Sequence, residues 1–210
     1  MSRSFRIPKC PYDLREKIYL KSDVVVNPGV TVLVGCNGSG KTTFLSFIKD
    51  ELKHIGIPFI SYNNCSDGGS MSLARSMMYG GDISTFATLA TSSEGEQISF
   101  NVANFAAEIG RFVRSYRGVE ELYILLDAID SGLSVDNITE IKEQLFQTIL
   151  SDNKGVDIYI IVSANTFEMC LNEQCLDVRT GKYKQFKSYN AYRNFVLKSR
   201  EYKDMRFKGV

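Results

Sequence analysis

Apolar residues recur along the chain with two different periods, and these periods predict alternating strands and helices. Short, nearly continuous apolar runs are typical of strands that are covered on both faces of a sheet. Longer segments place apolar residues three or four positions apart, which is the spacing of one helix face. The short runs predict strands at 29–35, 57–62, 121–127 and 156–164, and the longer segments predict helices at 42–56, 94–118 and 135–152.

The order of these elements predicts the fold class. The segment 135–152 lies between two predicted strands, and its apolar residues form a single helical stripe. Strand–helix–strand alternation is typical of a largely parallel sheet whose connecting helices cover its faces. We therefore predict an α/β fold with a mainly parallel sheet flanked by helices. The stripe consists of Ile138, Ile141, Leu145 and Ile149.

One stretch interrupts the alternation and predicts a second lobe. Residues 63–92 are rich in Gly, Ser and Asn and carry only short apolar patches, so we expect a short loop-rich or helical lobe there. A chain of 210 residues suits one domain with two lobes. We place the main lobe at about 1–62 and 118–210, and the helical lobe at about 63–117.

The composition favours a cytoplasmic protein without a membrane partner. No apolar run approaches the roughly 18 residues of a membrane helix, and the N-terminal segment lacks the apolar stretch of a signal peptide. The five cysteines include no C-x-x-C pair. Their odd number supports neither a disulfide framework nor a zinc ribbon.

Positive charge is concentrated at the C-terminal end. Residues 178–210 hold ten Lys or Arg and two acidic residues, about +8, which leaves about −7 for residues 1–177. This pattern is compatible with a nucleic-acid or protein partner, and equally with a solvated terminal helix. We expect most of the interleaved aromatic rings to pack against the sheet rather than to contact a partner. These rings belong to Tyr183, Phe186, Tyr189, Tyr192 and Phe195.

The stretch "GCNGSGKT" (35–42) matches the phosphate-loop pattern G-x-x-x-x-G-K-[ST]. Its glycines let backbone N–H groups approach an anion closely, and the following helix directs its positive end at the phosphates. The lysine supplies a point charge for the β- and γ-phosphates, and the next hydroxyl can bind Mg²⁺. The predicted nucleotide-binding residues are Gly35, Asn37, Gly38, Ser39, Gly40, Lys41, Thr42 and Thr43.

Asp127 supports the same interpretation. It ends an apolar strand, where a carboxylate can hold Mg²⁺ directly or through water. Many strands end in Asp, so this signal gains its weight from the phosphate loop. We predict that Thr42 and Asp127 form the magnesium site.

These motifs resemble those of the ABC-class ATPases, and within that class the heads of SMC proteins and DNA-repair ABC ATPases. "GCNGSGKTTFL" matches the family form G-x-N-G-x-G-K-[ST]-[ST]-h-L, and "SSEGEQ" (92–97) resembles the signature motif. "LLDAIDSGLS" (125–134) covers the Walker B strand and the D-loop, and residues 176–192 resemble the late strand and turn. The resemblance covers roughly residues 19–190. It implies a P-loop NTPase fold like an ABC ATPase head, with a small antiparallel β part, and ATP and Mg²⁺ as ligands.

The resemblance also implies a partner subunit. In ABC proteins the signature motif begins a helix that faces the γ-phosphate held by the other subunit, which makes Ser93, Gly95 and Glu96 candidate ATP contacts in trans. A homodimer with two composite ATP sites follows. The spacing of Ser93 and Glu96 is also that of a capping box, which is compatible with this role or sufficient without it. Only 51 residues separate Lys41 from Ser93, so the chain has no room for a coiled coil there and we interpret it as a stand-alone head.

Three departures from the family pattern concern water activation. Ala128 stands where the family has a catalytic glutamate, and its methyl group can neither orient nor deprotonate water. Asn165 lies near the position of the switch histidine, and no glutamine for a Q-loop occurs between Lys41 and Gln97. Asn63 or Asn64 is a candidate substitute for that glutamine.

These departures predict an ATP·Mg-binding head that hydrolyses ATP slowly, in DNA metabolism or defence. The candidate catalytic residues are Asp130, as a substitute base, and Asn165, which can hydrogen-bond a phosphate or water. Asp130 is also a typical turn residue. The alternative function is a non-hydrolysing, ATP-dependent dimerisation switch that recruits a partner protein. A small-molecule kinase would require an arginine-bearing lid and would leave "SSEGEQ" unexplained.

Overall fold

The computed structural model describes residues 2–11, 17–64 and 94–207, with side chains described for all of these except 94–103 and 206–207. Most of the predicted helical lobe at 63–117, including the loop-rich stretch 65–92, therefore lies outside the described residues. The architecture below concerns the remainder of the chain.

A six-stranded sheet forms the centre of the fold, in the order β4-β5-β6-β3-β7-β8. Neighbouring strands are parallel except β7 and β8, which pair antiparallel. A separate antiparallel pair joins β1 and β2. This arrangement confirms the predicted α/β fold with a mainly parallel sheet and a small antiparallel part. The strands are β1 (Arg3–Arg6), β2 (Asp23–Val26), β3 (Gly29–Val34), β4 (Phe59–Asn63), β5 (Glu121–Asp127), β6 (Asp157–Ser163), β7 (Gln174–Asp177) and β8 (Lys182–Lys184).

Helices connect the strands at the positions that the periodicity predicts. The first of them ends where Gly56 adopts a left-handed conformation and closes the last turn on the Leu52 carbonyl. The helices are α1 (Lys41–Ile55), α2 (Glu94–Ser115), α3 (Val135–Glu140), α4 (Gln147–Asp152), α5 (Phe167–Cys170) and α6 (Tyr189–Phe207).

The predicted helix at 135–152 is confirmed, but its middle is wider than an α-helix. A π-helical stretch, Ile141–Phe146, lies between α3 and α4. Because a π-turn adds a residue, Phe146 is buried five positions after Ile141 and joins the apolar stripe. The period of 3.6 on which the sequence interpretation rested did not predict that shift.

Two hydrophobic cores lie on opposite faces of the sheet, because successive side chains of a strand point to opposite sides. In β5, Ile124 belongs to the core beneath α2 and the segment from α3 to α4, whereas Leu125 belongs to the core beneath α1 and the β1–β2 pair. The central strands are therefore apolar at almost every position. The polar residues at their carboxyl ends stand out for this reason.

Aromatic residues of helix α6 and of the segment before it pack against the rest of the fold. The ring centroid of Phe186 lies 5.4 Å from that of Tyr192 and 5.3 Å from that of Phe195. The hydroxyl of Tyr183 accepts a hydrogen bond from the backbone N–H of Asn27. These contacts confirm the predicted packing role for the four rings. Tyr189 differs from them, since it is 58% exposed.

Candidate nucleotide site

The glycine loop joins the end of β3 to the first turn of α1, as the motif predicts. Gly40 has φ 97°, and a Cβ at this position would lie 2.7 Å from the hydroxyl oxygen of Tyr19. A Cβ at Gly35 would collide with the side chain of Ser39. Both positions therefore require glycine, and the loop backbone stays close to its surroundings.

Lys41 is folded back into the loop. Its Nζ donates hydrogen bonds to the carbonyl oxygens of Gly35, at 2.9 Å, and Cys36, at 3.3 Å. Burial lowers the pKa of the Lys41 ammonium, and this desolvation outweighs the opposing effects of Cys36, Asp130 and Asp127. The ammonium is therefore a buried charge that an anionic ligand in the loop would stabilise.

The donor set of the loop fits a phosphate group. The Ser39 hydroxyl oxygen is one of two buried side-chain polar atoms in the described residues that have no hydrogen-bond partner. Such orphaned groups are unfavourable unless a ligand or water completes them. Together with the Lys41 ammonium and the N-terminus of α1, this hydroxyl offers positive and hydrogen-bonding groups to an anion.

Asp127 is held by three side chains at the carboxyl end of β5. Its Oδ1 accepts a hydrogen bond from the Thr42 hydroxyl at 3.2 Å and another from the Ser163 hydroxyl. Its Oδ2 accepts a hydrogen bond from the Asn63 amide at 3.0 Å. The structure thus brings together the two predicted magnesium ligands, Thr42 and Asp127. A carboxylate and a hydroxyl are oxygen donors of the kind that Mg²⁺ requires.

Strand order explains why Ser163 takes part in this arrangement. Strand β6 lies between β3, which carries the loop, and β5, which carries Asp127. Ser163 ends β6 and lies between the two functional strands. Nothing in the local sequence distinguishes this serine as functional, because its role depends on which strands are neighbours. Asn63, in contrast, follows the predicted strand 57–62 and is one of the two candidates for the missing Q-loop glutamine.

A pocket of about 320 Å³ lies beside the Thr42–Asp127 pair. It runs along α1 and the ends of β4 and β5, and Lys49 crosses its wall to donate a hydrogen bond to Ser61 at 3.0 Å. Asn63 also lines it. The pocket leaves space next to the carboxylate for an ion and its water ligands.

The position after Asp127 holds a strained backbone and no reactive group. Ala128 has φ 53°, in the left-handed region that non-glycine residues seldom adopt. Its N–H donates a hydrogen bond to the Ser163 hydroxyl at 2.8 Å. Ser163 therefore hydrogen-bonds both Asp127, a predicted magnesium ligand, and the backbone of Ala128.

Asp130 is buried and engaged in the fold. Its Oδ2 accepts hydrogen bonds from the backbone N–H groups of Asn165 and Thr166, at 2.7 and 2.8 Å, and from the Thr166 hydroxyl. Its Oδ1 is the second buried polar atom without a hydrogen-bond partner in the described residues. These bonds give Asp130 a structural role in the loop after β6. Its catalytic role stays a prediction, as does that of Asn165, whose side chain is exposed.

The signature residues are only partly described. Ser93 lies outside the described residues, and Gly95 and Glu96 lie in the first turn of α2, where side chains are not described. Their contact with ATP in a partner subunit stays a prediction. The choice between a capping box and a trans contact stays open with it.

The glycine loop at the N-terminus of α1, the Thr42–Asp127 pair and the parallel sheet order together define a P-loop nucleotide-binding domain. No protein-family model matches the chain, and no curated protein matches it. Among solved structures, the chain is similar to a KaiC-like protein from the hyperthermophilic archaeon Pyrococcus horikoshii OT3. The two share 23% identity over 79% of this chain and 73% of that chain, with a TM-score of 0.36. The class assignment rests on the geometry of the site.

A helix that crosses a bilayer must be both long and predominantly apolar. None of the helices in the described ranges combines the length and the apolar character needed to span a membrane.

Proposed function

We propose that the protein is an ATP·Mg-binding head of the ABC type that closes as a head-to-tail homodimer around ATP and hydrolyses it slowly. The observation that carries the nucleotide part is the Thr42–Asp127 hydrogen bond of 3.2 Å at the mouth of the glycine loop. The two residues are 85 positions apart in the chain, and a hydroxyl beside a carboxylate supports the proposal because a phosphate-bound Mg²⁺ requires oxygen ligands.

Each residue of the site has a distinct part in binding. The Lys41 ammonium exchanges its two loop carbonyl partners for phosphate oxygens, and the Ser39 hydroxyl gains a partner that it otherwise lacks. Thr42 and Asp127 would hold Mg²⁺, which neutralises charge on the β- and γ-phosphates when it is bound. Ser163 and Asn63 keep the carboxylate in position by hydrogen bonds.

Slow hydrolysis follows from the residue after the magnesium aspartate. Ala128 offers no proton acceptor, and the nearest later carboxylate, Asp130, already accepts three hydrogen bonds through one oxygen. Loss of a general base typically costs about 10²–10⁴-fold in rate. Charge stabilisation and positioning remain, so the rate is expected to be reduced rather than abolished.

A second candidate function, a non-hydrolysing switch, is favoured by the same alanine. In that case the ATP-closed dimer would recruit a partner protein. The basic segment 178–210 is the proposed contact with such a partner, because its net charge of about +8 suits an anionic surface. A role in DNA metabolism or defence is proposed for the first candidate, the slowly hydrolysing head.

Binding and hydrolysis are tested together with purified protein. We expect wild type to bind ATP in a Mg²⁺-dependent manner and to release phosphate faster than Lys41→Ala. Binding without phosphate release above that of Lys41→Ala would favour the switch over the enzyme. Absence of ATP binding would contradict both.

Dimerisation is tested by light scattering with and without ATP·Mg²⁺. The proposal predicts an ATP-dependent doubling of mass that Lys41→Ala does not show. Ser93→Arg should bind ATP as a monomer if the signature contacts ATP in trans. A wild-type protein that binds ATP and stays monomeric would contradict the composite site and leave the nucleotide site itself unaffected.

A further inference from the structure

A second pocket, of about 200 Å³, lies next to the phosphate loop and is not explained by phosphate or magnesium binding. It is formed between the turn that follows β7 and the C-terminal half of α6. Its lining combines basic and aromatic side chains, a composition that differs from the polar site at Asp127. The main lining residues are Arg179, Thr180, Lys184, Phe195, Lys198 and Tyr202.

This pocket is physically continuous with the phosphate loop. Ser199 lines it, and the Ser199 hydroxyl accepts a hydrogen bond of 3.1 Å from the backbone N–H of Cys36. One turn further along α6, the Lys203 ammonium lies 3.4 Å from the carbonyl oxygen of Asn37. A ligand anchored in the loop can therefore reach the pocket without crossing the sheet.

A stacked pair forms the centre of the pocket. The guanidinium carbon of Arg179 lies 4.0 Å from the ring centroid of Tyr202, and the Lys198 ammonium lies 6.0 Å from the same centroid. Asp177 also lines the pocket, and its carboxylate oxygens accept hydrogen bonds from the backbone N–H of Arg179 and from the Thr180 hydroxyl. The planar guanidinium is thus backed by an aromatic ring, an arrangement that can stack against a further planar group.

The carboxyl ends of the strands indicate which way a nucleotide must extend from the loop. In open α/β sheets, ligands bind outside these ends. On one side of β3, the end of β6 is closed by the hydrogen bonds of Asp130 to residues 165–166 and of Ser163 to Asp127. On the other side, the turn after β7 borders the 200 Å³ pocket.

We propose that the pocket between the β7–β8 turn and α6 binds the base of the nucleotide, with the Arg179–Tyr202 pair as its stacking platform. The inference rests on the proposed function, since it assumes that the phosphates occupy the glycine loop. The outer face of the Arg179 guanidinium stacks on the base. Lys198 and Lys184 also line the pocket, and their ammonium groups can donate hydrogen bonds to the ring nitrogens of adenine.

The basic lining is also compatible with a nucleic-acid phosphate, and the geometry favours the base. In the described part of the chain, none of the three basic lining residues, Arg179, Lys184 and Lys198, forms a salt bridge. This lack of salt bridges is compatible with both ligands. The Arg179–Tyr202 pair, the concave shape of the pocket and the Ser199–Cys36 contact with the loop point to a planar group tethered to the loop.

Two probes that share the phosphates and differ in the base test the proposal. We compare the Kd of ATP with that of inorganic tripolyphosphate, both with Mg²⁺, in wild type, Arg179→Ala and Tyr202→Ala. The expected result is about tenfold weaker ATP binding, the typical effect of losing a stacking partner, with tripolyphosphate binding unchanged. Tyr202→Phe should bind ATP like wild type because it keeps the ring. Tyr189→Ala is the matched control, since Tyr189 lies on α6 outside the pocket lining and is 58% exposed.

The opposing results are distinct. Wild-type ATP affinity in both Arg179→Ala and Tyr202→Ala would overturn the proposal, and so would an equal loss of ATP and tripolyphosphate binding. Loss of DNA binding with unchanged ATP binding would assign the pocket to nucleic acid and also overturn it. In all of these cases Lys41→Ala would still weaken both probes, which preserves the proposed function. If wild type bound neither probe, the proposed function would fail as well.

Discussion

Two neighbouring positions at the end of β5, Asp127 and Ala128, differ in the functional groups that surround them. At Asp127, side chains from α1, β4 and β6 converge on one carboxylate within hydrogen-bonding distance. One residue later, Ala128 presents a methyl group, and Asp130 uses one oxygen to hold the loop after β6. The same strand therefore supports a binding site and, directly beside it, a position without a base.

Under the proposed function, this difference would separate ATP binding from water activation. Phosphoryl transfer depends mainly on positioning and charge, which the Asp127 side supplies. Proton removal from water needs a free acceptor, which the Ala128 side lacks. Variants that alter one of the two positions and leave the other unchanged test whether they act independently.

The largest expected effect is on the binding side. Lys41→Ala removes the buried ammonium that donates hydrogen bonds to the Gly35 and Cys36 carbonyls, and should weaken ATP binding about 10²–10³-fold, the range for an interaction between buried charges. Isothermal titration calorimetry measures this effect. Lys49→Ala is the control, because Lys49 lies on the same helix and bonds Ser61 instead. Similar losses in both variants would contradict a specific role for Lys41.

The next largest effect is expected on the hydrolysis side. Ala128→Glu should raise the single-turnover hydrolysis rate by about 10²-fold, the lower range for a general base. Ala128→Gln is the control of similar size that cannot accept the proton. An unchanged rate in Ala128→Glu, with normal ATP binding, would show that this position does not face the attacking water.

Removal of the magnesium carboxylate should have a smaller effect that depends on the cation. Asp127→Asn is expected to weaken ATP binding about tenfold in Mg²⁺, because a hydrogen bond to a charged group contributes about 1.5–3 kcal/mol. In EDTA, wild type and variant should bind equally weakly. A loss of the same size in EDTA would indicate that Asp127 supports the fold rather than the ion.

The affinity for ATP is expected to depend on pH because the Lys41 ammonium is buried. Phosphate binding requires protonated Lys41, and burial lowers its pKa below the ordinary value of 10.5. The affinity for ATP is therefore highest at pH values below the lowered pKa of Lys41, and it falls as the pH rises through that pKa. Lys41→Arg should flatten this profile because arginine stays protonated. A wild-type affinity that holds constant up to pH 10.5 would contradict the lowered pKa.

The smallest expected effect is that of substituting Ser163, whose hydroxyl is hydrogen-bonded both to Asp127 and to the backbone N–H of Ala128. Ser163→Ala should lower the free energy of unfolding by about 1–3 kcal/mol, because it leaves the N–H of Ala128 without its partner. Urea unfolding measures the loss, and ATP affinity should fall only a few-fold. Ser46→Ala is a control, since the Ser46 hydroxyl bonds the Thr43 carbonyl within α1. Equal stability losses in the two variants would contradict this role of Ser163.

Local patterns in the sequence predicted β3, β4, β5, β6, α1 and the glycine loop because those features depend on neighbouring residues. The strands β1 and β2 were not predicted. The local patterns also identified Asp127 and Thr42, since each lies within a recognisable motif. Ser163 was missed because its role depends on β6 lying between β3 and β5. The contact of Ser199 with Cys36 spans 163 positions and depends on the path of α6 across the sheet.

The widened helix illustrates a second limit of sequence patterns. The apolar period predicted a single helix at 135–152, and the π-helical stretch within it follows from how Ile141 and Phe146 both reach the core. Such a shift depends on the shape of the surface that the helix covers. Periodicity records which residues are apolar and carries no information about that surface.

The central claim is that the protein holds ATP·Mg²⁺ far better than it cleaves it. A single-turnover measurement with radiolabelled ATP and excess protein tests this claim directly, because binding and cleavage are followed in one sample. A typical enzyme turns over at about 10 s⁻¹, and loss of the base predicts about 10⁻¹–10⁻³ s⁻¹ here. We predict that bound ATP persists uncleaved for seconds to minutes. Cleavage at about 10 s⁻¹, or the absence of bound ATP, would contradict the account.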